Sequence, residues 1–243
     1  MSFTVRAITL DLDDTLWPFA PIGARIERVL DDWLRRHSPA TAERFPIEAM
    51  RTVRQQMFDD HPQLAHDLGR LRRMTIEHAL RESGGDLALA DAAYDLFYAE
   101  RNRVDFYDDA LDALQRIAAR VPVMALSNGN ADLAVIGIDA LFVDSLPALQ
   151  HGAGKPDPGI FHAACKRLGV ARDDVLHVGD HVEIDVVGAM QAGLRGCWIN
   201  RVEAQWPEAH PAPDLQFTTL AALADWLDAQ PAAAPEPAQG AAA

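Results

Sequence analysis

The sequence LDLDD at positions 10–14 places Asp11 and Asp13 two residues apart directly after a short apolar run. If that run is a strand, its period of two sends both carboxylates towards the same face. Like charges at this spacing repel each other unless a cation compensates, and Mg²⁺ prefers oxygen ligands such as carboxylates. The pattern therefore predicts a magnesium site, whereas an isolated pair of this kind more often marks an acidic turn.

Three later segments also place polar groups where chemistry is expected. The sequence SNG at positions 127–129 follows an apolar run and can present donors to phosphate oxygens. Lys155, one of two lysines in the chain, precedes a proline and suits neutralisation of an attacking carboxylate and a phosphoryl group. Asp180 ends another apolar run, and Asp185 follows five residues later. The simpler alternatives are a common turn for the segment at 127–129 and a surface lysine for Lys155.

Alternating apolar runs and helical patterns indicate how these residues are positioned. Short apolar runs ending in polar residues are typical of buried parallel strands, whose carboxyl ends carry the chemistry of α/β proteins. We predict strands at 5–10, 121–126, 141–143, 175–178, 196–199 and 215–217. With helices between several of them, the fold class is α/β, a doubly wound parallel sheet with a Rossmann-like core.

A long helical insertion separates the first two predicted strands. Apolar residues three or four apart predict helices near 22–34, after Pro46, at 71–80 and at 87–98. We therefore expect a four-helix cap domain at 17–105 and an α/β core formed by 1–16 and 106–229. The tail at 230–243 is rich in Ala and Pro and is predicted to be disordered.

Composition limits the classes of partner. The 243 residues carry a formal net charge of −14, which disfavours binding to nucleic acid or anionic lipid, so a phosphorylated ligand requires a local cation site. Cys165 and Cys197 lie in apolar patterns and are interpreted as buried small hydrophobic residues. With no apparent leader or membrane-spanning run, we expect a cytoplasmic monomer or homodimer.

Four motifs occur in a fixed order: DLDDT at 11–15, SNG at 127–129, GKPDP at 154–158 and GDHVEID at 179–185. Together they resemble the four motifs of the haloacid dehalogenase superfamily, over positions 7–200. The helical insertion between the first two motifs resembles the helical-cap subclass. The resemblance implies phosphoryl transfer through an aspartyl phosphate.

The resemblance also implies individual roles. Asp11 is the nucleophile, and Asp13 protonates the leaving alcohol and later activates water. Mg²⁺ is held by the Asp11 and Asp180 carboxylates and the Asp13 main-chain carbonyl, with Asp185 in support. Ser127 and the backbone of Asn128 are implied to hold the phosphoryl oxygens. Lys155 is implied to orient Asp11. The acid at position 13 disfavours dehalogenation, while a sugar phosphomutase or an inactive binding protein stays an alternative.

Three further stretches resemble a bacterial group of phosphatases that hydrolyse flavin mononucleotide (FMN) and the phosphorylated aminouracil intermediate of riboflavin synthesis. They are HDLGRLR at 66–72, SNGNA at 127–131, and LHVGD at 176–180 with GCWI at 196–199. We therefore expect a small phosphorylated metabolite as substrate, with Trp17, His66, Arg70 and Arg72 as candidate specificity residues. Alternatively, the arginines form surface pairs and Trp17 packs at the entrance to the cap. Phosphatases for phosphoglycolate, sugar phosphates or nucleotides are the other specificities considered.

Overall fold

A computed structural model describes residues 3–231, so the predicted tail lies outside the described residues from position 232 onward. Six parallel strands form one sheet in the order β3-β2-β1-β4-β5-β6. The strands are β1 (Ala7–Leu10), β2 (Val123–Ser127), β3 (Asp144–Pro147), β4 (Val175–Gly179), β5 (Arg195–Ile199) and β6 (Leu215–Phe217). The predicted class, a doubly wound α/β core, is confirmed.

Helices cover both faces of the sheet, which is why the central strands are continuous apolar runs. On one face, Ile8 and Leu10 pack with α6 (Ala110–Arg120) and α11 (Leu220–Asp228). On the other face, Ala7 packs with α9 (Pro158–Leu168) and α10 (Gly188–Gln191). Alternate residues of β1 therefore belong to two separate hydrophobic clusters, as a strand period of two requires.

One predicted strand is misplaced. Residues Asp139–Leu141 form a short 3-10 helix, and β3 follows at Asp144–Pro147 instead of 141–143. Val143 still donates its backbone N–H to the carbonyl of Val123, at 2.9 Å. Because β3 lies at the edge of the sheet, its side chains are mostly only partly buried and its sequence lacks the apolar run that marks the central strands.

The insertion between β1 and β2 consists of helices joined by loops. It contains α1 (Phe19–His37), α2 (Pro39–Arg44), α3 (Ile47–Asp60), α4 (Leu68–Ser83) and α5 (Leu89–Arg101), with a 3-10 turn at Pro62–Leu64. Four helices were predicted, and the short α2 was missed because only two of its six residues, Thr41 and Ala42, are buried, which leaves no apolar period. A cluster that includes Leu30, Ile76, Leu80 and Ala93 joins α1, α4 and α5.

The two connections between insertion and sheet lie side by side. The backbone N–H of Tyr107 donates to the carbonyl of Leu16 at 3.0 Å. Arg201, which follows β5, donates to the carbonyl of Thr15 at 2.8 Å and to Asp109 at 2.9 Å, with its guanidinium over the Tyr107 ring. These contacts fix where the helical insertion leaves and rejoins the core.

The remaining elements are short. They are α7 (Leu133–Ile136), α8 (Ala148–His151), a 3-10 helix at Arg172–Asp174 and a π-helix at Val182–Val187. Over residues 3–231, none of the helices combines the length and apolar character that a membrane crossing would require.

Candidate active site

The site forms where three adjacent strands end. In the order β2-β1-β4, the carboxyl ends carry Ser127, Asp11 and Asp180, because parallel strands bring these ends to one edge of the sheet. The backbone N–H of Asp11 donates to the carbonyl of Val178 at 2.9 Å, which continues the pairing of β1 with β4 to the site itself. The motifs separated along the sequence thus meet at this edge.

A buried lysine lies between two buried carboxylates. Nζ of Lys155 is 2.5 Å from Oδ1 of Asp11 and 2.7 Å from Oδ1 of Asp185, and all three residues are at most 8% exposed. Burial opposes the charge of Lys155, but the two carboxylates outweigh it and raise the pKa of the lysine. Burial also raises the pKa of Asp11, against the attraction of Lys155. The lysine therefore stays protonated and fixes the orientation of Asp11.

The Asp185 carboxylate contacts two further polar groups besides Lys155. Its Oδ2 accepts the backbone N–H of His181 at 3.0 Å, and Nε2 of His177 lies 3.4 Å from its Oδ1. Nδ1 of His177 is 2.9 Å from the Thr9 hydroxyl, and burial lowers the histidine pKa, which keeps the ring neutral. Burial opposes ionisation of Asp185, but Lys155 and His177 lower its pKa. Asp185 is therefore a rigid anion.

The acidic groups fit a hard dication. One carboxylate oxygen each from Asp11, Asp180 and Asp185 lie within 4.8 Å of one another. Burial, and then the charges of Asp185 and Asp14, raise the pKa of Asp180 to about 7. A bound cation would stabilise the ionised form of Asp180. The donor atoms are all oxygens, which suits Mg²⁺. The carboxylate of Asp13 is not part of this group, and ligation through its main-chain carbonyl stays a prediction.

Two donors hold the carboxylate of Asp13. The indole N–H of Trp17 donates to Oδ1 at 2.8 Å, and Nη2 of Arg101 donates to Oδ2 at 2.6 Å. Trp17 is fully buried with its ring edge-on to Phe106, so it contacts Asp13 from the core and is not among the residues that line the cavity beside Asp13. Arg101, the last residue of α5, is 2% exposed and was missed by sequence reasoning, since a helix-terminal arginine normally reads as a surface residue.

The β2 loop shapes the site through backbone contacts. The Asn128 side chain brackets Lys155: Oδ1 accepts the lysine N–H at 2.7 Å, and Nδ2 donates to its carbonyl at 2.8 Å. The Ser127 hydroxyl accepts the N–H of Gly129 at 2.9 Å. A Cβ at Gly129 would lie 2.7 Å from Oδ2 of Asp13 and 3.0 Å from Nη2 of Arg101. The side chain of Asn128 thus positions Lys155. The backbone of Asn128 stays available for the predicted contact with the phosphoryl group.

A cavity of about 460 Å³ leads from this edge into the helical insertion. Its wall includes Asp13, Gly129, Arg72 and Arg101, together with three phenylalanine rings at positions 19, 58 and 97. His66 and Arg70 line another cleft, of about 780 Å³, that contains none of the predicted catalytic residues. We associate the cavity of about 460 Å³ with the chemistry because Asp13 is one of its lining residues. The candidate specificity residues therefore lie in three places. Trp17 is in the core, and Arg72 lines the cavity beside Asp13. His66 and Arg70 line the cleft of about 780 Å³, called the outer cleft below.

The parallel sheet, the helical insertion and the carboxylates at one sheet edge define a class of hydrolase. The chain belongs to the haloacid dehalogenase-like hydrolases, whose family model matches residues 5–193.

Its relatives include enzymes of two chemistries. It is 33% identical over 226 residues to 5-amino-6-(5-phospho-D-ribitylamino)uracil phosphatase YigB of Escherichia coli, covering 90% of this chain and 94% of the relative. It is 35% identical to a Thermus thermophilus phosphoserine phosphatase, over 65% of each chain. The crystal structure of a Pseudomonas syringae 2-haloacid dehalogenase superposes with a TM-score of 0.86 at 34% identity, covering 93% of this chain and 99% of that one.

Proposed function

We propose that the chain is a Mg²⁺-dependent phosphomonoesterase that acts through an aspartyl phosphate on Asp11. The observation that carries this proposal is the position of Asp11, which contacts the buried Lys155 and lies in a cluster of three carboxylates. Such an arrangement combines a fixed nucleophile with a cation site for a phosphoryl group. The substrate is a small phosphorylated metabolite, and we infer FMN or a phosphorylated riboflavin precursor.

In the first half-reaction, a carboxylate oxygen of Asp11 forms a bond to phosphorus while the bond from phosphorus to the ester oxygen breaks. Asp13 donates a proton to that oxygen, and the alcohol leaves. Lys155 keeps the attacking carboxylate aligned, while Ser127 and the backbone of Asn128 hold the phosphoryl oxygens. A bound Mg²⁺, held by Asp11, Asp180 and the Asp13 carbonyl with support from Asp185, would neutralise phosphoryl charge.

In the second half-reaction, water attacks the phosphorus of the aspartyl phosphate. Asp13 removes a proton from the water, and the bond between phosphorus and the Asp11 oxygen breaks. Phosphate is released and both carboxyl groups return to their starting states. The contacts from Trp17 and Arg101 to Asp13 support its role here, since two donors hold it as an oriented carboxylate base.

Asp13 also favours phosphatase over dehalogenase chemistry. A halide leaves as a stable anion, so dehalogenation gives a general acid at this position no task. An alkoxide needs a proton as it leaves, which makes an acid at this position useful. The relatives include phosphatases at 33% and 35% identity and a dehalogenase structure at 34% identity, so the choice of phosphatase chemistry rests on Asp13.

The substrate class is inferred from the E. coli relative, which is 33% identical over 226 residues. That E. coli enzyme is named for a uracil ring carried on a phosphorylated ribityl chain, and the match covers 94% of it. The cavity beside Asp13 has aromatic walls, which suit a flat ring attached to the phosphate by a short chain.

The test is phosphate release in the presence of Mg²⁺ from FMN, the aminouracil ribityl phosphate, phosphoglycolate and several sugar phosphates. We expect the two ribityl phosphates to give the highest kcat/KM. Asp11→Asn should be inactive, whereas the matched surface variant Asp60→Asn should retain full activity.

Other outcomes identify the alternatives. Isomerised sugar phosphate in place of free phosphate would indicate a mutase, and halide release from 2-chloropropionate would indicate a dehalogenase. No turnover of any compound, with phosphorylated ligand still bound, would indicate a binding protein and contradict the proposal.

A further inference from the structure

Arg72 lies in the wall of the cavity beside Asp13, with its guanidinium over an aromatic ring. Its guanidinium carbon lies 4.8 Å from the centre of the Phe97 ring. Within residues 3–231, the Arg72 guanidinium forms no hydrogen bond and no ion pair. The nearby carboxylate of Glu27 is occupied, at 2.5 Å from Arg51 and 3.5 Å from Arg54.

The environment of Arg72 leaves its donors available to a ligand. Burial, and then the charge of Arg54, lower the pKa of Arg72 to about 10, so the group is still charged at neutral pH. Phe97 covers one face of the guanidinium, which leaves the N–H groups at its edge as the means of recognition. Arg72 is partly exposed and lines the cavity, so a ligand that displaces water from its N–H groups must provide an acceptor in its place.

Arg101 lines the same cavity at the end where Asp13 lies. Its Nη2 donates to Asp13, while Nη1 is buried and has no partner among the described residues. Phe97 and Arg101 lie one turn apart on α5, which corresponds to about 5.4 Å along the helix axis. Arg72 belongs to α4 and lines the same cavity, and within residues 3–231 no hydrogen bond or ion pair joins it to Asp13 or Arg101.

We propose that Arg72 is a specificity-determining residue that binds a ring acceptor at the far end of the leaving group. The inference rests on the proposed function, because Asp13 is taken to mark the position of the ester oxygen. Phe19, Phe58 and Phe97 pack against a flat heterocycle, and Arg72 donates to its carbonyl or imide oxygen. We expect a leaving group as short as glycolate or serine to be too small to contact Asp13 and Arg72 at the same time.

The arrangement also separates Arg72 from its neighbours in the sequence. Arg70 lies two residues earlier on α4, is exposed and lines the outer cleft together with His66. Residues two apart on a helix do not share a face. The role of ring recognition therefore falls on Arg72, and Arg70 provides a matched control of the same residue type on the same helix.

The test compares Arg72→Met and Arg70→Met with the wild-type protein, since methionine keeps a long apolar stem and removes the charge. The first measurement is kcat/KM for FMN and for acetyl phosphate, whose acyl group we expect to be too small to contact Asp13 and Arg72 at the same time. Arg72→Met should lower kcat/KM for FMN by about tenfold to a hundredfold, the effect of one hydrogen bond from a charged donor, and leave acetyl phosphate unchanged. Arg70→Met should change neither.

The second measurement is binding of riboflavin, the dephosphorylated leaving group, followed by quenching of its fluorescence. It requires no catalysis, so it separates this proposal from the proposed function. Weaker binding by Arg72→Met alone would support the role of Arg72 even if no ester were hydrolysed. Failure of riboflavin to bind the wild-type protein, equal binding by both variants, or an equal loss on FMN and acetyl phosphate would overturn it.

Discussion

At the scale of single residues, the candidate site depends on Lys155. It is one of two lysines in the chain, and it lies buried between Asp11 and Asp185. Without its charge, two buried carboxylates would face each other with only their hydrogen bonds to compensate. Removing one partner of a buried ion pair strongly destabilises the folded protein, because the remaining charge stays buried and unpaired.

Lys155→Met should therefore lower the free energy of unfolding by about 3 to 5 kcal/mol in metal-free buffer. Added Mg²⁺ should restore part of this loss, since the dication would take over compensation of the carboxylates. Urea denaturation with and without Mg²⁺ measures both effects. The exposed Lys166→Met is the control and should differ from wild type by less than about 0.5 kcal/mol. Wild-type stability for the buried variant would show that Lys155 is not held as described.

At the scale of elements, the loop after β2 requires glycine for a reason of space. Gly129 allows the Asp13 carboxylate and the Arg101 guanidinium to meet beside the backbone, within 2.7 and 3.0 Å of where a Cβ would lie. Because Arg101 belongs to α5 and Asp13 follows β1, this contact joins the helical insertion to the sheet edge. A change in the loop therefore alters the alignment of the base without altering the core.

Gly129→Ala should reduce kcat by at least about tenfold, because a displacement of the base of about 1 Å is costly to catalysis. The melting temperature should change by no more than a few degrees, since the main hydrophobic clusters are untouched. Steady-state kinetics and thermal denaturation on the same preparations test this. Full activity, or a loss of activity explained by unfolding, would contradict the role assigned to the loop.

Asp109 connects three elements of the core. It accepts the backbone N–H groups of Leu220 and Ala221 at the start of α11 and pairs with Arg201. Burial opposes ionisation of Asp109, but the bond from Arg201 and the two N–H groups lower its pKa below the usual value. A group with a lowered folded-state pKa contributes stability above its unfolded pKa, and this contribution is lost as the pH falls through the folded pKa.

Asp109→Asn should therefore cost about 1 to 2 kcal/mol of unfolding free energy at pH 7, typical of losing a charged helix cap. The difference from wild type should become smaller as the pH falls below about 4. Urea denaturation across this pH range is the measurement. Asp112→Asn, exposed on α6, should be neutral, and a deficit for Asp109→Asn that does not depend on pH would argue against the ionic cap.

At the scale of the whole molecule, a cation site couples metal binding to stability. The carboxylates of Asp11, Asp180 and Asp185 come from β1, β4 and the π-helix, so they meet only when the sheet has folded. A ligand that binds only the folded state stabilises it by mass action. An overall charge of −14 adds repulsion that a bound cation also reduces.

Mg²⁺ at about one hundred times its dissociation constant should add about 2.7 kcal/mol of stability and raise the melting temperature by about 5 to 10 °C. A chelator should reverse this shift and stop phosphate release. Asp180→Asn should weaken the shift, whereas the exposed Asp173→Asn should not. Thermal denaturation over a series of Mg²⁺ concentrations gives the result, and equal shifts in both variants would place the ion elsewhere.

The sequence alone determined much of this protein. Apolar runs predicted the strands of the core, because strands covered on both faces must be apolar along their whole length. Motif order and spacing also placed Asp11, Asp180 and Lys155 at strand ends or in a loop, and the parallel sheet brings these positions together. The edge strand β3 and the short α2 escaped prediction because their partial burial leaves no periodic apolar pattern.

Only the tertiary structure decided which side chains meet. Arg101 contacts Asp13 across 88 positions, and no local pattern indicates a contact over that separation. The stretch at 66–72 appeared as one specificity segment, yet Arg70 and Arg72 line different spaces. The physical reason is helical geometry: neighbours in sequence point in different directions, and their surroundings depend on which helices pack beside them.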